Sequence, residues 1–167
     1  MLAKTGVPTE QEILQTTPPP ERLLSGPVAV IECFQKIPCN PCWEACNRGA
    51  IQSMEDMNVL PELDYSKCNG CGVCATRCPG LAIFIVDASY SSTEAVVRIP
   101  YEFSPLPEPE EKVIGLNRAG EEIGEFKVLK VQKGGKQNKT ALIWLVVPQE
   151  LRMEVRNIRY KGVGSRG

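Results

Sequence analysis

Eight cysteines lie between Cys33 and Cys78, and the chain contains no histidine. Two stretches carry most of them, CNPCWEACNRGAI at 39–51 and CGVCATRCPGLAI at 71–83. Both follow C-x-x-C-x-x-x-C-x-x-x-A-I, and the second copy begins thirty-two residues after the first. Thiolates are metal ligands or nucleophiles, and cysteine clusters under reducing conditions more often bind metal than form disulfides. Without an imidazole, this chain alone cannot build a Rieske centre, a His-containing zinc site, a His-ligated haem or a His-based catalytic triad.

The second group reads Cys68-x2-Cys71-x2-Cys74-x3-Cys78-Pro79, a strong signature of iron-sulfur ligation. Its two-residue gaps let three thiolates wrap one corner of a cube from a single tight loop. The longer gap carries the fourth cysteine away, so that it serves the other cluster. One group therefore needs a second, and the first supplies it as Cys33-x5-Cys39-x2-Cys42-x3-Cys46. With the fourth cysteines crossed, cluster I takes Cys33, Cys39, Cys42 and Cys78, and cluster II takes Cys46, Cys68, Cys71 and Cys74. Two [4Fe-4S] clusters are expected, held by one loop-and-turn unit used twice about a pseudo-twofold axis.

Over residues 27–88 the chain resembles the bacterial-type ferredoxins that carry two [4Fe-4S] clusters, most closely in LDYSKCNGCGVCATRCPGLAI. The resemblance implies one-electron transfer between a donor and an acceptor, with the clusters within tunnelling reach of each other. Two departures stand out. Lys36 occupies the position equivalent to Cys68, so Cys33 must reach across an enlarged loop, FQKIP; a free buried thiol there would leave a [3Fe-4S] cluster instead. Asn47 replaces the proline expected after the fourth cysteine. Zinc is the competing metal, but a third cysteine two residues on, followed by C-x3-C-P, overfills a zinc knuckle. Gly70, Gly72 and Gly80 either bring backbone amides close to sulfur or merely permit the turns. Trp43 and Tyr65 either shield the sulfurs or pack a small core.

The elements that must position these residues are legible as apolar runs and punctuation. Thr9 and Glu12 form a capping-box pattern before TTPPP, within an N-terminal extension or docking arm at 1–26. GPVAVIEC reads as a strand entering the first group, LAIFIVDAS and EAVVRIPYEF as strands leaving the second. After SPLPEPEE the pattern is all β: KVIGL, a turn at NRAG, GEFKVLKVQK, a turn at GGKQN, TALIWLVV, then the alternating LRMEVRNIRY, with KGVGSRG as a frayed tail. The expected class is α+β: a ferredoxin-like two-cluster domain at 27–104 with a pseudo-twofold repeat, followed by a small all-β, barrel-like domain at 105–167.

Charge divides the same way. Residues 1–110 hold 7 Lys and Arg against 14 Asp and Glu, and residues 111–167 hold 12 against 6. A basic β segment attracts an acidic partner or forms solvated strand faces. The longest apolar run, Ala141–Val147, falls far short of the roughly 18 residues that cross a bilayer. The opening MLAKTGVPTEQEIL has no apolar signal region, so a cytoplasmic chain is expected. No nucleophile-base pair, phosphate loop or paired carboxylates stand out, and no active site of its own is expected.

A free ferredoxin needs only the cluster domain, so the added segments point to an electron-transfer subunit. The whole chain resembles the ferredoxin-like small subunits of flavin-dependent amino-acid dehydrogenases of the proline and hydroxyproline type. That implies single electrons taken from a flavoprotein dehydrogenase and passed to another carrier. The alternatives are a free soluble ferredoxin, or a nucleic-acid-binding protein with structural clusters and phosphate contacts at Lys127, Lys130, Lys133, Lys136 and Lys139. The absence of interleaved aromatics in KVQKGGKQNK weighs against the last.

Overall fold

The computed structural model describes residues 2–135 and 139–160. Three short helices, α1 (Leu2–Thr5), α2 (Glu10–Thr16) and α3 (Pro20–Leu24), lead into strand β1 (Val28–Ile31). Helices α4 (Pro41–Ala45) and α5 (Val73–Arg77) lie in the cysteine region. Strands β2 (Ile83–Asp87), β3 (Glu94–Tyr101), β4 (Lys112–Leu116), β5 (Glu122–Gln132), β6 (Ala141–Pro148) and β7 (Asn157–Arg159) follow, with a 3-10 turn at Gln149–Leu151.

The capping box forms at α2: the Glu12 amide donates to Thr9 Oγ1, and the Thr9 amide donates to Glu12 Oε2 at 2.7 Å. Thr17 is extended because a proline follows it, and Pro20 opens α3 where a missing N–H leaves nothing unsatisfied. Arg22 fastens this arm to the cysteine region. Its guanidinium donates to the carbonyls of Tyr65, Gly26, Pro27 and Cys68 at 2.7–3.0 Å. The Tyr65 hydroxyl donates to the Thr16 carbonyl at 3.3 Å.

All seven strands form one antiparallel sheet in the order β1-β2-β3-β6-β5-β4-β7. The near-continuous apolar runs of β1, β2, β3 and β6 arise because these strands are covered on both faces. Ala29, Ile31, Ile83, Ile85 and Leu142 lie under the cysteine loops. Phe84, Val97, Ile99, Ile143 and Leu145 point the other way and pack with Val113, Phe126, Val128, Val155 and Ile158. Burying each of these apolar side chains larger than Ala29 contributes about 1.5–3 kcal/mol.

The expected barrel does not close. β1 and β7 are the two ends of an open sheet, and they are brought together by side chains rather than by a backbone ladder. Glu32, just after β1, is gripped by Arg118 from the turn after β4 and by Arg156 just before β7. The second correction concerns LRMEVRNIRY, whose alternation predicts a strand along its length. Only Asn157–Arg159 pairs, with β4. The Glu154 and Val155 amides instead bond back to the Leu151 carbonyl in a helical turn that Pro148 opens. β3 pairs with β6 from Glu94↔Pro148 to Tyr101↔Ala141, so strands from before residue 104 and after residue 105 share one sheet. The expected GGKQN turn lies partly, and the KGVGSRG tail wholly, outside the described residues.

Candidate metal centre

Helices α4 and α5 are two copies of one turn. Each has five residues, carries a cysteine at its second position (Cys42, Cys74) and ends on a cysteine cap (Cys46, Cys78) in an extended conformation. The extended cap takes the chain out of the helix at the fourth cysteine of each repeat. The two helices pack against each other.

That packing brings the cysteines together crosswise. Cys33, Cys39, Cys42 and Cys78 line a hollow of about 380 Å³ with Ile31, Met54 and Ile83. Cys46, Cys68, Cys71 and Cys74 line a second, of about 340 Å³, with Ala29, Leu63 and Ile85. Cys33 reaches the first hollow across the enlarged loop. All eight are free thiols; Cys42 and Cys74 are buried and Cys71 is exposed. The thiols of each set face a volume, and among the described residues no three His, Cys, Asp or Glu side chains are placed to hold a single ion. A zinc knuckle needs such convergence, whereas a cube with one iron per thiolate does not.

The electrostatics follow the same sets. Burial pushes the Cys42 thiol up to about 11, with Cys78, Cys39 and Cys33 adding to the rise. Burial pushes Cys74 up to about 12, reinforced by Cys68, Cys71 and Cys46. Cys33 is raised by burial and then by Cys78 and Cys39. At Cys46 burial acts upward, but the amides of Ile51, Arg48, Ala50 and Gly49 together outweigh it and hold the thiol below its ordinary value. Four thiolates around one apolar hollow are costly to ionise without a cation among them. This donor set fits a [4Fe-4S] group, which would supply that positive charge.

Sulfur also meets backbone amides: Ala29 donates to Cys68 Sγ at 3.5 Å and Ala82 to Cys78 Sγ at 3.4 Å. Sequence reasoning named glycines instead. Gly70 and Gly72 have φ of +68° and +85°, and a Cβ at Gly70 would stand 2.5 Å from the Pro27 backbone. They are there for the turns and the close approach. Trp43 packs beside Cys42 and Cys46 in the core under the loops, and Tyr65 packs beside Cys68. Three charged residues were missed: Glu32, Arg22 and Arg98. Arg98, buried in β3, donates from Nη1 to the Gly70 carbonyl at 2.8 Å and stacks on Trp144 at 3.7 Å. A charge inside the apolar run EAVVRIPYEF was the available signal.

Beside the first hollow a wider groove of about 1360 Å³ runs past Cys33, Cys39 and Cys78, between α1 and the turn that carries Arg118.

A family model described as "4Fe-4S binding domain" matches residues 61–84, which contain Cys68, Cys71, Cys74 and Cys78. Residues 61–84 are a 4Fe-4S ferredoxin-type domain. The chain is 36 % identical over 52 residues to the ferredoxin-type protein NapF of Escherichia coli (strain K12), covering 30 % of this chain and 32 % of NapF. It is 43 % identical over 47 residues to the pyruvate synthase subunit PorD of Methanocaldococcus jannaschii, covering 28 % of this chain and 52 % of PorD. It thus spans about a third of NapF and about half of PorD. No solved structure matches the chain. No helix among the described residues is long and apolar enough to cross a membrane.

Proposed function

We propose that this chain carries single electrons through two [4Fe-4S] clusters, one on Cys33, Cys39, Cys42 and Cys78, the other on Cys46, Cys68, Cys71 and Cys74. The observation that supports this reading is the crossed grouping of thiols around two hollows of nearly equal size, each completed by a cysteine from the other repeat. A [4Fe-4S] group supplies reversible one-electron chemistry when bound. The chain's own residues do the rest. The thiols bind, α4 and α5 set the four-residue spacing, and Ile31, Met54, Ile83 and Ile85 keep water from the buried corners. Amides such as those of Ala29 and Ala82 aim positive dipoles at sulfur. Iron analysis of the anaerobically purified chain tests this: about eight irons per chain with broad absorbance near about 400 nm supports it, and about four sinks the two-cluster reading.

The chain serves as a relay subunit of a larger oxidoreductase, taking electrons from a flavoprotein dehydrogenase and handing them to another carrier. Two observations favour a subunit. The helical arm and the β4-β5-β7 portion of the sheet supply surface that a cluster cage alone does not need, and one relative is named as a subunit of pyruvate synthase. Neither relative's name mentions a flavin or an amino acid. Anaerobic purification from native cells checks it: co-elution with a flavin-containing polypeptide is the expected result. A monomer with full iron favours a free soluble ferredoxin instead. Of the lysines named for a nucleic-acid reading, Lys127 pairs with Glu110 and Lys130 sits over Trp144; Lys136 lies outside the described residues.

A further inference from the structure

The two hollows differ in charge. No charged side chain lines the first, whereas Arg48 lines the second. The loop around the second also carries Arg22 on the Cys68 carbonyl and Arg98 on the Gly70 carbonyl. Near the first set, Glu32 and Glu154 balance Arg118 and Arg156. Arg98 is the unusual member. It is 8 % exposed, and the acidic groups within electrostatic reach of it are the Asp87 carboxylate and the Cys71 thiol. It forms no salt bridge among the described residues, and its Nε is a buried donor with no acceptor. The indole Nε1 of Trp144, on which it stacks, is likewise buried and unbonded. Buried charges are ordinarily paired, because the cost of leaving water must be offset by an opposite charge. Stacking on an indole offsets only part of that cost.

We infer that Arg98, braced by Trp144, is the buried counter-ion of the group held by Cys46, Cys68, Cys71 and Cys74, and that it sets this centre at a higher reduction potential than its twin. The inference rests on the proposed reading of those four cysteines as a cluster cage. Reduction adds one negative charge to the cage and breaks no bond. A fixed guanidinium in a dry site favours the more negative state far more than an exposed charge does. Arg98 touches no ligand sulfur in this geometry; it acts from the Gly70 carbonyl, between Cys68 and Cys71, and is therefore a positioning residue.

The test is a redox titration of the full chain, purified anaerobically, followed by electron paramagnetic resonance with iron counted on each sample. The wild-type chain is expected to take up two electrons in two resolved steps. Arg98→Gln is expected to shift the higher step to more negative potential and leave the lower one in place. Arg98→Lys keeps the charge while losing the planar stack and is expected to stay near wild type. Full iron in both variants with neither step moved overturns the inference and leaves the cluster reading intact; so does a shift confined to the lower step, or an equal fall in Arg98→Lys. If Arg98→Gln loses one centre's iron while Arg98→Lys retains it, the charge requirement is upheld; loss in both makes the role structural and overturns it. A wild-type chain well short of about eight irons defeats the cluster reading itself.

Discussion

Glu32 and Arg156 tie the two ends of the open sheet: Arg156 Nε donates to Glu32 Oε1 at 2.7 Å, with the side chains 3 % and 7 % exposed. The residues lie 124 apart in sequence. Burial alone would raise the Glu32 pKa, but Arg118 and Arg156 outweigh it, so the carboxylate stays ionised below its ordinary 4.5. Removing the carboxylate leaves two nearly buried guanidiniums side by side, with only Glu154 among the described residues, 3.9 Å from Arg118, to balance them. Glu32→Gln is expected to destabilise the chain by about 3–5 kcal/mol in denaturant unfolding, because breaking a buried pair strands its partner. A loss under about 1 kcal/mol would mean that water repairs the site.

Two glycines in the cysteine region separate backbone need from mere presence. Gly70 has φ +68°, and an added Cβ would meet the Pro27 carbonyl carbon and oxygen at 2.5 Å. Backbone atoms cannot swing aside as a side-chain tip can. Gly70→Ala is therefore expected to displace the loop between Cys68 and Cys71 and to lower iron content sharply, since the left-handed conformation alone costs about 1–2 kcal/mol before the clash. Gly80 has open space at its Cβ and no such backbone angle. Gly80→Ala is expected to load iron as wild type does. Equal iron in both variants would refute the close approach.

Cys33 is the test of the enlarged loop. It lines the first hollow with Cys39, Cys42 and Cys78, and its thiol is raised by burial and by two of those same cysteines. Cys33→Ala is expected to cost about one iron per chain and to bring out the oxidised-state resonance of a three-iron cluster. Unchanged iron content and spectrum would show that another group holds that corner.

The cysteine chemistry was readable in the sequence because ligand spacing is a local property: Cys68, Cys71 and Cys74 must share one loop whatever the rest of the chain does. The strands were readable because β1, β2, β3 and β6 are covered on both sides and so are apolar throughout. The end of the sheet was not. LRMEVRNIRY alternates in type, yet it buries Val155 and Arg156 in succession as well as Ile158, because the Glu154 and Val155 amides turn back to the Leu151 carbonyl before the strand begins. The tie between the two ends of the open sheet was equally hidden, since it rests on the long-range grip of Arg118 and Arg156 on Glu32, which leaves no local pattern. Glycine type shows that a turn is present, but most of the amides that reach sulfur, such as those of Ala29 and Ala82, belong to residues of ordinary appearance.

Arg22 connects the N-terminal arm to the second cysteine loop, and its replacement measures what the arm contributes. The guanidinium satisfies the carbonyls of Tyr65, Gly26, Pro27 and Cys68 at once, from a helix too short to persist without tertiary contacts. Arg22→Leu keeps apolar bulk but leaves several half-buried carbonyls without donors, at about 1–3 kcal/mol for each that water does not reach. Arg22→Lys restores the charge, yet a single ammonium cannot span the fork. Both variants are expected to expose TTPPP and the arm to limited proteolysis and to release iron faster in the presence of a chelator, with Leu worse than Lys. If the arm is cut faster while iron release is unchanged, Arg22 serves the arm alone; if neither changes, the four bonds carry no strength.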